Sequence, residues 1–125
     1  MNLVTRLNNW LNIRWNEKNN WKGQIGQESG FCIFDTVEHG LRAARIILQG
    51  YIRKGFNTVE KIIGRFAPSV ENNTESYINF VCEQTGYVRN EILLSPNINQ
   101  ILRAMAKIET GNTITDQQMI EAWTD

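Results

Sequence analysis

Histidine is nearly missing from the sequence, since His39 is the single one in 125 residues. Catalytic triads and histidine-rich metal sites need imidazole groups that this chain does not have. Cysteine is scarce as well: Cys32 and Cys82 lie in separate apolar stretches, with no second metal ligand near either. We expect two buried thiols, with a disulfide bond between them as the disfavoured alternative. The sequence therefore predicts no metal and no cofactor.

An excess of either charge is also lacking, because thirteen Lys and Arg residues balance thirteen Asp and Glu residues. A neutral chain has no overall field that draws it onto a nucleic acid or an anionic membrane. Long apolar runs are absent too, both as a signal peptide at the start and as a membrane span of roughly 18–20 residues. We expect synthesis in the cytoplasm, and neither a nucleic acid nor a membrane as a partner.

Helix signals are abundant after residue 35. Five segments begin at a polar cap residue, four of them with an acidic or amide residue three positions later, and each carries an apolar stripe at helical spacing. The predicted caps are Asp35, Asn57, Asn72, Ser95 and Thr115. Glycine or proline ends the first four helices, at Gly55, Pro68, Gly86 and Gly111.

The opening third of the chain has a different pattern. Residues 21–25 (WKGQI) and 30–34 (GFCIF) predict two short strands, joined by a turn at residues 26–30 (GQESG). With 42% apolar residues the chain is suited to one domain. We predict a mainly α, α+β fold in which a small hairpin wing, residues 1–35, shares a core with a helical part, residues 36–125.

Two stretches of the sequence resemble a known family. RLNNWLNIRW, WKGQ and GFCIFDTVEHGLRAA, followed by TVEKIIGRFAPSVENNTESYINFV, are similar to a phage and prophage family of small lysozyme-like virion or structural proteins. The likeness covers roughly residues 5–86 and extends to the wing of bacterial glucosaminidase domains. It implies a lysozyme-like fold and a phage protein that acts on or binds cell-wall glycan. It also implies a later place in the virion, or release when the host lyses.

The chain departs from that family where catalysis is concerned. Lysozyme-like glycosidases carry a general acid, a glutamate, on the helix before the wing, and residues 1–11 contain no acidic residue. The candidate acid is Glu71, which follows Pro68 and Val70 at a loop-to-helix junction. The alternative is that Glu71 only stabilises a helix N-terminus. Roles in a loop, a turn and a capping box explain Glu17, Glu28 and Glu38. Enzyme status stays open; any catalysis would be glycoside hydrolysis of peptidoglycan.

The candidate ligand-binding residues share aromatic, amide or guanidinium side chains. Aromatic faces stack on sugar rings, amides bind hydroxyl and N-acetyl groups, and arginine binds carboxylates. We predict a cleft between the wing and residues 67–74, lined by Asn9, Asn12, Arg14, Trp15, Trp21, Arg65, Asn72, Asn73 and Tyr77. The alternative is that the tryptophans, Trp10 included, fix the hairpin to the core and the asparagines form turns and caps.

A second function is compatible with the same cleft. A non-enzymatic phage protein would use it to bind a glycan or a small anionic ligand. Such a protein would be a virion component, or would sequester or inhibit a host factor, so a virion or host protein is a further expected partner. The arginines and aromatic residues of residues 6–65 favour neither function over the other.

Overall fold

The computed structural model describes residues 3–68 and 73–124. A short helix and a two-stranded hairpin come first, and helices make up the rest of the described chain. The elements are α1 (Leu3–Arg6), β1 (Gln24–Glu28), β2 (Phe31–Phe34), α2 (Val37–Arg53), α3 (Val59–Phe66), α4 (Thr74–Thr85), a 3₁₀ helix (Ser95–Asn97), α5 (Ile98–Thr110) and α6 (Asp116–Ala122). The predicted class, α+β and mainly α, is confirmed.

The N-terminal caps of α2, α3 and α4 lie one residue later than the sequence pattern indicated, and at α4 the cap is Asn73 rather than Asn72. Thr36 caps α2, and its hydroxyl accepts a hydrogen bond from the backbone N–H of His39. The predicted cap, Asp35, instead uses its carboxylate on the His39 ring, with 2.6 Å between Oδ1 and Nδ1. Thr58, rather than Asn57, caps α3 in the same way as Thr36. At α2 and α3 a threonine hydroxyl is therefore the N-terminal cap, in place of the polar residue just before it that the sequence pattern indicated.

Other helix ends follow the sequence more closely. Gly86 and Gly111 end α4 and α5 in the left-handed conformation, as their positions predict. The capping box of Thr115 with Gln118 at α6 is confirmed. Ser95 does not cap α5, because residues 95–97 form a 3₁₀ turn before it.

The hairpin is tighter than predicted. β1 and β2 are antiparallel, with Gln27 opposite Cys32, so the stretch assigned to a wide turn belongs largely to a strand. Ser29 and Gly30 alone reverse the chain, with φ of 53° and 83°. Positive φ at both central residues is the geometry of a two-residue turn whose twist matches the strands. A bulge between Gln24 and Gly26 interrupts β1.

The N-terminal segment, residues 7–15, extends the hairpin and joins it to the helices. The Phe34 N–H donates to the Leu7 carbonyl at 3.0 Å, and the Cys32 N–H donates to the Ile13 carbonyl at 3.0 Å. Leu7, Trp10, Leu11 and Ile13 are buried in the hydrophobic interior. The segment therefore lies against β2 and contributes to the same core as the helices.

Asn9 is the polar centre of this junction, and none of its surface is exposed. Its Nδ2 donates to the carbonyls of Ile13 and Cys32 at 2.9 and 3.0 Å, and its Oδ1 accepts from the Ile13 N–H at 2.8 Å. Backbone groups of Ile13 and Cys32 that are not paired between β1 and β2 obtain hydrogen-bond partners in this way. One buried amide thus fixes the N-terminal segment to the hairpin.

The last helix closes the far side of the core. Arg45 of α2 is buried, with its Nε 3.0 Å from the carbonyl of Ala122 and its guanidinium 4.9 Å from the ring centroid of Trp123. This contact ties α6 to α2 through a stacked cation and a helix-end carbonyl. No helix in the described ranges is long and apolar enough to cross a membrane.

Candidate functional site

A polar cluster lies where the N-terminal segment meets the ends of two helices. Glu109, in the last turn of α5, is half-buried and accepts a hydrogen bond on each carboxylate oxygen. The hydroxyl of Tyr77, in the first turn of α4, donates to Oε2 at 2.9 Å. Nδ2 of Asn12 donates to Oε1 at 3.1 Å. We call Asn12, Tyr77 and Glu109 the junction cluster.

Tyr77 is held rigidly within the cluster. Its side chain is buried, and its ring packs edge-on against Phe66 with 6.2 Å between ring centroids. Burial raises the pKa of the Tyr77 phenol, and the carboxylate of Glu109 raises it further by charge and by accepting its hydrogen bond. The phenol therefore stays protonated and donates to Glu109 throughout the physiological pH range.

Asn12 reaches Glu109 from a left-handed backbone conformation, with φ of 55°. Asparagine adopts this conformation more readily than most residues. Its backbone N–H donates to the carbonyl of Asn9 at 3.3 Å, so the turn that presents Asn12 is anchored at the buried Asn9. The fold thus sets the position of the Asn12 side chain before any ligand arrives.

The three tryptophans of the wing divide between core and surface. Trp10 is buried and Trp21 is partly buried, and neither indole N–H has a hydrogen-bond partner in the part of the chain described. Trp15 is 44% exposed, and its backbone N–H donates to the Gly30 carbonyl at 2.8 Å. Trp15 is therefore the indole of the three with an open face.

The two predicted arginines each lie over an aromatic ring. The guanidinium of Arg14 is 5.1 Å from the ring centroid of Phe31, and that of Arg65 is 5.7 Å from the ring centroid of Phe56. Both arginines are exposed. Cation–π contact orients these groups without burying them.

Other candidate residues are not part of the junction cluster, and some of them form hydrogen bonds with backbone groups instead. Asn9 lies in the interior rather than on a cleft wall. Asn73 caps α4, where its Oδ1 accepts from the Ser76 N–H at 3.1 Å. Glu71 and Asn72 lie outside the described residues, so their assigned roles stay predictions.

Glu28 belongs to a strand and not to the glycine-bounded turn assigned from sequence. Its carboxylate forms an ion pair with Arg6, and this hydrogen bond lowers the pKa of Glu28. Cys32 is buried and Cys82 half-buried, both as free thiols, and burial raises the pKa of each. Residues 3–68 and 73–124 contain no group of three or more His, Cys, Asp or Glu that would hold a metal ion.

Sequence reasoning missed Glu109, because its partners are 32 and 97 residues away along the chain. One feature of the sequence does point to Glu109. Leu102 and Met105 are fully buried on α5, and Glu109 continues their row at helical spacing. A carboxylate at the end of an apolar stripe indicates a buried polar partner or a site.

Together the fold and the junction cluster define a small, mainly helical α+β protein with a hairpin wing and a polar site beside it. No protein-family model matches the chain. It is similar to Protein P5 of Pseudoalteromonas phage PM2, with 38% identity over an alignment of 112 residues that covers 86% of this chain and 70% of P5. The chain therefore belongs to the family of this phage protein. The phage origin expected from the sequence is confirmed.

Proposed function

We propose that this phage-family protein has a lysozyme-like fold and acts on or binds cell-wall glycan in a cleft beside the junction cluster. One observation carries the proposal: Asn12 and Tyr77, two of the residues predicted to line the cleft, meet at Glu109 where the N-terminal segment joins the helices. Trp15, three residues after Asn12 on the same segment, is 44% exposed. An exposed aromatic residue and polar groups on one segment suit a sugar, whose rings are apolar on one side and polar at the rim.

Cleavage of the glycan needs a protonated carboxylic acid at the leaving oxygen. In this proposal Glu71 is that acid, a role that is predicted from the sequence. The junction cluster suits the other requirement, the orientation of the sugar relative to that acid, because its side chains are fixed by hydrogen bonds and burial.

Release of soluble fragments from purified peptidoglycan tests this function. If the protein is a hydrolase with Glu71 as its acid, Glu71→Gln is expected to lower turnover by about 100-fold or more, because loss of general acid catalysis typically costs that much. The matched control is Glu83→Gln, which removes the same charge from the exposed side of α4. Equal turnover by the parent and Glu71→Gln would exclude Glu71, and no turnover by the parent would exclude hydrolysis.

Binding without cleavage is the second candidate, and the contacts of Glu109 favour it. Each oxygen of this carboxylate already accepts a hydrogen bond from a neutral group, an arrangement that suits a fixed recognition surface. A protein of this kind would serve in the virion or sequester a host ligand or factor. It would sediment with insoluble peptidoglycan and release no fragments.

A further inference from the structure

The carboxylate of Glu109 is the acidic group of the junction cluster. We infer that it selects neutral sugars, whose hydroxyl and acetamido N–H groups donate to it, and discriminates against anionic ligands. This inference rests on the proposed glycan function and narrows it, since the sequence analysis kept a small anionic ligand as part of its second function.

Glu109 has acceptor capacity left over. A carboxylate offers about four lone-pair sites on its two oxygens. Tyr77 and Asn12 use one site on each oxygen. Because Glu109 is only half-buried, the remaining sites are within reach of a donor from outside the protein. Sugars carry such donors on most ring positions, so the open sites match their chemistry.

The hydrogen bonds to the Glu109 carboxylate come from two neutral groups, the amide of Asn12 and the hydroxyl of Tyr77. Lys107, two residues earlier on α5, is exposed and donates to the Gly111 carbonyl at 2.9 Å. An anionic ligand at this carboxylate would meet a like charge in a partly desolvated place, where repulsion is stronger than in water.

The geometry of the carboxylate is fixed in advance. Tyr77 is buried, and Asn12 is held in a turn anchored by Asn9. A preorganised acceptor loses little side-chain freedom on binding, so its hydrogen bonds contribute fully to affinity.

The test compares two glycans of similar length by calorimetric titration of the full chain. One is the neutral tetramer of β-1,4-linked N-acetylglucosamine, and the other is a hyaluronan tetrasaccharide, in which glucuronate alternates with the same amino sugar. The parent protein is expected to bind the neutral tetramer at least about tenfold more tightly. Glu109→Gln is expected to weaken binding of the neutral tetramer about tenfold, as loss of hydrogen bonds to a charged acceptor does, and to narrow the difference between the glycans.

Two further variants separate recognition from structure. Tyr77→Phe keeps the charge of Glu109 and removes one supporting bond, so it is expected to retain the preference for the neutral glycan. Glu83→Gln, on the exposed face of α4, is expected to bind as the parent does. Thermal unfolding of each variant shows whether it is folded at the titration temperature.

The outcomes are distinct. If the parent binds neither glycan, the proposed function fails and the inference falls with it. If the parent binds the neutral glycan and Glu109→Gln binds it equally well, the function stands and the inference is wrong. A parent that prefers the hyaluronan tetrasaccharide contradicts the inference alone, as does loss of thermal stability in Glu109→Gln with unchanged glycan affinity.

Discussion

Asn9→Ala is expected to lower the free energy of unfolding by about 3–5 kcal/mol, because it removes the side-chain partners of the buried Cys32 carbonyl and Ile13 N–H. The substitution removes both donors to the carbonyls of Ile13 and Cys32, together with the acceptor of the Ile13 N–H. Ile13 and Cys32 are buried, so water does not readily replace the lost partners. Urea unfolding monitored by tryptophan fluorescence measures the change as a shift in midpoint.

Asn79→Ala is the matched control for this prediction. Asn79 is exposed on α4, and the same substitution there is expected to change stability by less than about 0.5 kcal/mol. Similar effects at both positions would show that the buried Asn9 amide does not hold the wing in place. The junction cluster depends on that amide, so Asn9→Ala is also expected to reduce glycan binding.

Gly40→Ala is expected to destabilise the protein by about 3 kcal/mol through a backbone clash. A Cβ at Gly40 would lie 2.1 Å from the carbonyl oxygen of Asn8, a distance that forces α2 and the N-terminal segment apart. Asn8 cannot easily retreat, because its Nδ2 donates to the Phe34 carbonyl at 3.0 Å and its φ is 56°. The melting temperature of the variant checks the prediction.

Gly64→Ala is the control for Gly40→Ala, and its expected effect on stability has the opposite sign. Gly64 lies on α3, and a Cβ added there would have open space within 4 Å beyond its own helix, so Gly64→Ala introduces no clash. It is expected to raise stability by about 0.5–1 kcal/mol, because alanine favours the helix over glycine. A stabilising effect of Gly40→Ala as well would contradict the close approach of α2 to the wing.

Much of the helical part could be predicted because its signals are local. Apolar stripes and glycine stops placed α2, α4 and α5 to within a few residues. The caps were displaced at α2 because Asp35 and Thr36 are both good capping residues, and the ring of His39 competes for Asp35. Local sequence does not show which of two adjacent capping residues is used when a contact with another side chain, here the ring of His39, decides it.

The site was harder to predict because long-range contacts create it. Nothing near Glu109 in sequence shows that Tyr77 and Asn12 will reach it. The tryptophans posed the same difficulty: Trp10 and Trp15 occur in similar asparagine-rich surroundings, yet one is buried and the other exposed. Whether each tryptophan is buried or exposed depends on which face of the N-terminal segment meets β2, and local sequence does not specify that face.

A nuclear magnetic resonance titration shows whether glycan binds where the wing meets the helices. The chain is titrated with the neutral N-acetylglucosamine tetramer while side-chain amide and indole N–H resonances are followed. Binding at this place is expected to give saturable shifts at the Asn12 amide and the Trp15 indole, with the Trp123 indole near α6 unchanged. Shifts centred on Trp123, or none at Asn12 and Trp15 at saturating glycan, would contradict it.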